Sequence, residues 1–161
     1  MTRLTSIAAK LLVLLVASGA VAACSVAPDH QAVAATSTGA NPEIHPMKIR
    51  LIINDQVLSA TLEDSLPARE FIAQLPLTLQ LEDYAATEKI AQLPRSLNVA
   101  GEPEGITPVA GDMAFYAPWG NLAIFHRPFG YSKGLVRLGR IQGGLQLLRK
   151  TGAVEVRIES F

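Results

Sequence analysis

At 161 residues and 17.2 kDa with a single cysteine, the chain allows one folded domain and excludes an intramolecular disulfide or a Cys-rich zinc site. Fourteen Lys and Arg balance fourteen Asp and Glu, which excludes a globally basic nucleic-acid binder. Hydrophobic residues make up 49% of the chain, too many for a mostly disordered protein.

Arg3 and Lys10 flank and precede an apolar run from Leu11 to Ala17, and small residues continue through Ala23. A basic start, a short apolar stretch and small residues before a cut are the layout of a secretory signal. Leu11 to Ala23 is shorter than the roughly 20 residues that a membrane-spanning helix needs. The cysteine follows directly, in Val21-Ala22-Ala23-Cys24, and this run resembles the lipobox of bacterial lipoproteins. The resemblance implies cleavage before Cys24, a diacylglycerol on its thiol and an acyl chain on its new amine. Each buried methylene contributes about 0.8 kcal/mol, so two or more chains anchor stably where one does not. The expected location is the cell envelope, on a membrane and facing outside the cytoplasm. Ser25, where an Asp would favour inner-membrane retention, points to the outer membrane in a host that has one.

Ser25 to Pro46 is rich in Ala, Ser, Thr and Pro and lacks apolar periodicity, which predicts a flexible tether. Coil statistics give it a span of roughly 25–30 Å. His30 and His45 are expected as solvated linker residues. The predicted organisation is therefore a signal at 1–23, a lipidated Cys24 and linker over 24–46, and a folded domain at 47–161.

In that domain Met47 to Ile53 largely alternates and reads as a strand, with Asn54-Asp55 as a hairpin turn and Val57 to Leu62 returning. Asp64 and Ser65 can cap a helix with Pro67 in its first turn. Ala68, Phe71, Ile72 and Leu75 would share its apolar face, and Pro76 would end it. Leu77 to Glu82 alternates strictly as a strand. Glu88 to Leu97 fits neither period cleanly. Gly101 to Gly111 reads as a long loop. Met113 to Ala117 and Leu122 to Arg127 are short apolar strands joined by a turn at Pro118-Trp119-Gly120-Asn121. A short strand is expected at Leu138 to Ile141, a helix at Leu145 to Lys150 and a closing strand at Ala153 to Ile158. Many short strands and two short helices predict a mainly β, closed barrel rather than an alternating α/β sheet.

Asp112-Met-Ala-Phe-Tyr-Ala-Pro-Trp-Gly-Asn-Leu-Ala-Ile-Phe-His-Arg127 and Phe129-Gly-Tyr-Ser-Lys-Gly-Leu-Val-Arg-Leu-Gly-Arg-Ile141 resemble the bacterial cyclophilin-like domain family. Leu77 to Tyr84 and Glu88 to Arg95 are similar to it as well, so the resemblance spans essentially Met47 to Glu159. It implies an eight-stranded cyclophilin-type barrel with two helices, and no established activity. True cyclophilins isomerise prolyl bonds with an arginine in a Phe-His-Arg segment, a type matched by Phe125-His126-Arg127. That makes Arg127 the candidate catalytic residue if the chain is an isomerase. Gln142-Gly143-Gly144 is similar to a second cyclophilin element. In that family, however, the glutamine follows the arginine more closely, where this chain has Leu135, so the match reads as coincidental.

His126 is the domain's one histidine, which leaves no His-rich metal cluster and no Ser/His/Asp triad. No metal and no cofactor are expected. The glycines of Gly134 to Gly139 lack the Lys-Ser/Thr of a phosphate loop. Charge is uneven along the domain. Met113 to Val154 contains no acid but carries Arg127, Lys133, Arg137, Arg140, Arg149 and Lys150, whereas Leu51 to Asp112 holds ten acids and three basics. Either the halves neutralise each other on folding or a basic face attracts an anionic ligand. Tyr116, Trp119, Phe129 and Tyr131, near Arg127 in sequence, are the candidate ligand-binding residues, because aromatics bury large areas at low entropic cost. The leading expectation is a lipid-anchored binding module for a peptide or small ligand, without catalysis. A prolyl isomerase using Arg127 and a carrier of an anionic ligand are the alternatives. No nucleic-acid partner is expected.

Overall fold

The computed structural model describes residues 46–161. The expected signal, Cys24 and nearly all of the tether lie outside these residues. The domain's strands are β1 (Lys48–Ile53), β2 (Gln56–Leu62), β3 (Leu77–Tyr84), β4 (Glu88–Gln92), β5 (Gly105–Ile106), β6 (Asp112–Tyr116), β7 (Asn121–Phe125), β8 (Ser132–Lys133), β9 (Leu135–Ile141) and β10 (Val154–Ser160). Eight of them close into an antiparallel barrel in the order β1-β10-β3-β4-β7-β6-β9-β2, while β5 and β8 form a separate two-stranded ribbon.

Period-two patterning builds the barrel's interior. Ile49, Leu51 and Ile53 of β1, Leu79 and Leu81 of β3, and Val156 and Ile158 of β10 point inward, with polar residues between them on β3 and β10. The β1–β2 hairpin turns at Asn54 and Asp55, whose φ angles of 46° and 63° are left-handed, a conformation these two residue types tolerate. Helix α1 (Leu66–Ile72) starts where Ser65 Oγ accepts from the Ala68 backbone N–H at 3.3 Å, and it lays Ala68 and Phe71 into the core. Lys89 also faces inward from β4. It is fully buried, and its Nζ donates to the Lys150 carbonyl at 2.9 Å and the Gly152 carbonyl at 2.6 Å beside the Asp83 carboxylate. A buried ammonium survives only with such a complete set of partners.

The structure differs from the sequence expectations in five places. The predicted second helix at Leu145 to Lys150 is only a 3₁₀ turn over Leu145–Leu147. Left-handed Gly144 enters it without a side-chain cap, and the stretch before Gly152 is too short to nucleate a stable helix. The ambiguous Glu88 segment supplies β4, the Gly101 to Gly111 loop includes β5, and β9 begins at Leu135 rather than Leu138. Strand β7 stops at Phe125. The N–H groups of His126 and Arg127 both donate to the Thr87 carbonyl, at 3.0 and 3.1 Å, and Pro128 cannot continue a ladder. The strand expected over Leu122 to Arg127 therefore ends two residues early, and Arg127 does not continue the face of Phe125.

Strands β6 and β7 are buried on both faces, which explains their continuous apolar runs. Met113, Phe115, Leu122 and Ile124 face the interior. Ala114, Ala123 and Phe125 face outward and form a second cluster with Leu135, flanked by Ile90, Ile106 and Tyr116. The β5–β8 ribbon lies against this outer cluster through Ile106. Gly105 permits the pairing, because any Cβ there would collide with the Ser132 carbonyl oxygen.

Candidate functional site

The outer face of β4, β7, β6 and β9 holds a partly open cavity of about 140 Å³. Register places its walls. Glu88 pairs with Phe125 and Ile90 with Ala123 across β4–β7, and Tyr116 pairs with Asn121 across β6–β7 and with Leu135 across β6–β9. Ala123 sits among taller neighbours, so its small side chain leaves the space that they enclose.

Three aromatic rings meet at one side. The Trp119 indole stands edge-to-face with Tyr84 at 5.5 Å between ring centroids and 88° between planes, and with Tyr116 at 5.4 Å and 81°. The turn that carries Trp119 is fixed from β4, where Gln92 Nε2 donates to the Trp119 and Gly120 carbonyls at 2.9 and 3.1 Å. Phe129 closes the opposite side, stacked on Phe125 at 6.4 Å. Trp119 and Phe129 keep 53% and 43% of their surface exposed, so both form the rim rather than the floor.

Two polar side chains reach into this aromatic setting. Glu88 is only 7% exposed and its Oε2 has no hydrogen-bond partner. Burial alone pushes its carboxyl up to about 7, because a low-dielectric wall disfavours the charged form. Asn121 is 4% exposed. Its Nδ2 donates to the Leu122 carbonyl at 3.2 Å, and its Oδ1 has no partner. Buried polar groups are nearly always satisfied, so two unpartnered acceptors in one cavity are a departure that calls for a cause.

Of the residues proposed from sequence, Tyr116, Trp119 and Phe129 line this cavity together. Arg127 and Tyr131 do not: both are exposed beyond the end of β7, and neither is among the lining residues. His126 is buried, and burial, reinforced by Arg127, Lys89 and Arg149, holds its imidazole below the usual histidine range. Tyr84, Glu88 and Asn121 were not anticipated. Alternation puts Glu88 with Ile90 and Lys89 with Ala91, one charged and one apolar residue on each face, so the sequence does not single out Glu88. Three of the six basic residues of the segment are paired with acids: Arg137 and Arg140 bind the Asp112 carboxylate at 3.2 and 2.8 Å, and Lys133 meets Glu104 at 3.3 Å. Among the described residues no group of three or more His, Cys, Asp or Glu could hold a metal ion.

The fold is a closed eight-stranded antiparallel barrel with one helix, and it carries a recess on its outer wall. The model of the Cyclophilin-like family matches residues 51–159, and the chain belongs to that family. The solution structure of a hypothetical protein from Archaeoglobus fulgidus is similar in fold, with a TM-score of 0.52 and 13% identity over 72% of this chain and 95% of that one. No curated protein matches the sequence.

Proposed function

We propose that the protein is a lipid-anchored binding module of the bacterial cell envelope, without catalysis, that holds a small ligand or a peptide side chain in the cavity on the barrel's outer face. The observation that carries the reading is the cavity itself, a preformed recess with aromatic walls and two buried polar groups, the lining chemistry usual for a small-molecule site. Arg127, the residue an isomerase would need at the edge of that recess, is exposed outside it. The arginines that an anionic ligand would need are occupied in part by Asp112. The anchor rests on the basic start, the apolar run and Val21-Ala22-Ala23-Cys24, with the outer membrane as the destination where the host has one.

Two experiments test this on the full chain expressed in bacteria. Radiolabelled palmitate should mark the protein, and Cys24→Ala should lose both the label and membrane association. An unlabelled wild-type protein would remove the anchor. A fragment screen read by backbone amide NMR shifts should cluster its responses on the cavity residues, while a prolyl-isomerisation assay should stay at background for wild type and Arg127→Ala alike. Isomerisation above background that is abolished by Arg127→Ala would replace the binding module with an enzyme.

A further inference from the structure

We infer that the cavity is built for a small protonated amine: the aromatic box of Tyr84, Tyr116 and Trp119 receives its alkyl groups, and the Glu88 carboxylate accepts its N–H bond. The inference deepens the binding-module reading and rests on it. Glu88 is the one carboxyl among the lining residues, and none of them is cationic. Aromatic faces carry negative potential and attract ammonium groups. Glu88 Oε2 and Asn121 Oδ1 are buried acceptors without donors. An acceptor left bare in a protein interior costs about 1–3 kcal/mol, so a guest that brings N–H groups recovers what the empty fold gives up. An anion would meet the Glu88 carboxyl and no cationic side chain there, and a purely apolar guest would leave the Glu88 oxygen unpaired.

Size sets the class further. A cavity of ~150 Å³ takes a benzene-sized guest, so about 140 Å³ suits the head group of an alkylamine rather than a folded partner's loop. Trp119 and Phe129 leave the rim open to solvent, which lets the head group's substituent extend outward. Among the lining residues the other ionisable groups are the phenols of Tyr84 from β3 and Tyr116 from β6. Strands β7, β8 and β9 contribute Asn121, Ala123, Phe125, Ser132 and Leu135, all neutral. Of the charged or titratable groups beside the cavity, Lys89 and Asp83 bond to each other, Glu82 is exposed opposite Ile90, Lys133 pairs with Glu104, and His126 and Arg127 follow the end of β7. Glu88 is thus the group whose ionisation sets the recess's charge, and amine binding strengthens as pH rises from 5 to 8.

Trp119 is the chain's one tryptophan, so its fluorescence reports on the box directly. The test titrates the full chain at pH 8 with trimethylammonium chloride, with tert-butyl alcohol as the neutral probe of similar size and sodium chloride as the ionic control. A guest of about four non-hydrogen atoms can bind no tighter than roughly tens of micromolar, and one charge contact in an open recess falls short of that ceiling. Trimethylammonium should give a saturable millimolar response that the alcohol and the salt do not. Glu88→Gln should weaken it at least tenfold and flatten its pH dependence. Tyr84→Leu, a change at the exposed rim, should weaken it severalfold, and it serves as the second variant if Glu88→Gln does not fold. Equal response to the alcohol, or unchanged affinity in Glu88→Gln, would overturn the amine and leave the pocket standing. Silence from both probes would overturn it too, and the fragment screen then decides separately whether the recess takes any guest.

Discussion

Two corners of the barrel bury a carboxylate, and they treat it in opposite ways. At the start of β6, Asp112 is fully buried, yet every direction around it is filled. Arg140 donates from Nε at 3.0 Å and Nη2 at 2.8 Å, Arg137 Nη2 donates at 3.2 Å, and the Val109 backbone N–H donates at 3.0 Å. At the start of β4, Glu88 is nearly as buried but faces rings and has a bare oxygen. One acid ties β6 to β9 and completes the fold. The other is held in a site where it does nothing for the fold. Stability explains the first arrangement and does not explain the second, which is where a ligand enters the reasoning.

The same chemical change, carboxylate to carboxamide, separates the two corners. Asp112→Asn removes the charge that two guanidinium groups share and presents them with an N–H₂ group. Breaking a buried ion pair from one side costs about 3–5 kcal/mol. Arg137 and Arg140 are partly exposed, so a loss of about 3 kcal/mol is expected in urea unfolding at neutral pH. A loss under ~1 kcal/mol would mean that solvent already screens the pair.

Glu88→Gln should move stability the other way, and only above a certain pH. The ordinary carboxyl value is 4.5 and the folded one is about 7. Between those values the folded chain holds a proton that the unfolded chain has released, so stability falls as pH rises through that window and stays low beyond it. Glutamine has no proton to lose. The variant should match wild type near pH 4.5 and exceed it by up to about 3 kcal/mol at pH 8. Coincident stability curves at both pH values would show that water reaches the carboxyl and would dissolve the contrast with Asp112. A variant that gains stability while losing amine binding would be the trade expected of a functional site.

How legible these corners were in sequence follows from where their causes lie. Strands β1, β3 and β10 were readable because alternation is local, and the family resemblance extends to the barrel that closes them. Trp119 was readable as part of a turn and as an amphipathic aromatic near Tyr116, and the two rings do meet. Glu88 was not, because what buries it is the register that sets it opposite Phe125, a pairing between segments far apart in the chain. Arg127 was misplaced for the converse reason. A strand run to residue 127 would have aligned it with Phe125, but β7 ends early when Thr87 takes the next two backbone N–H groups.

The turn that delivers both Tyr84 and Glu88 offers the finest test of the contrast. Ala85 and Ala86 join β3 to β4 with φ angles of 49° and 55°, the left-handed region, whereas the matching turn between β1 and β2 uses Asn54 and Asp55. Alanine has no side-chain hydrogen bond to offer there, and its Cβ crowds the following carbonyl at a cost of roughly 1–2 kcal/mol per residue. Ala86→Gly removes that crowding but gives the unfolded chain more freedom, worth roughly 0.5–1 kcal/mol against it. The net expectation is a small stabilisation, about 0.5 kcal/mol, measured as a shift of the urea midpoint at unchanged slope. The same glycine loosens the hinge between a ring of the box and its carboxyl. Amine affinity should therefore fall slightly while the fold tightens, as though the strain is kept because it aims Tyr84 and Glu88 into one cavity. A destabilised Ala86→Gly protein would place the turn's conformation under the control of its neighbours rather than of alanine's own sterics, and the two turns of the barrel would then be equivalent.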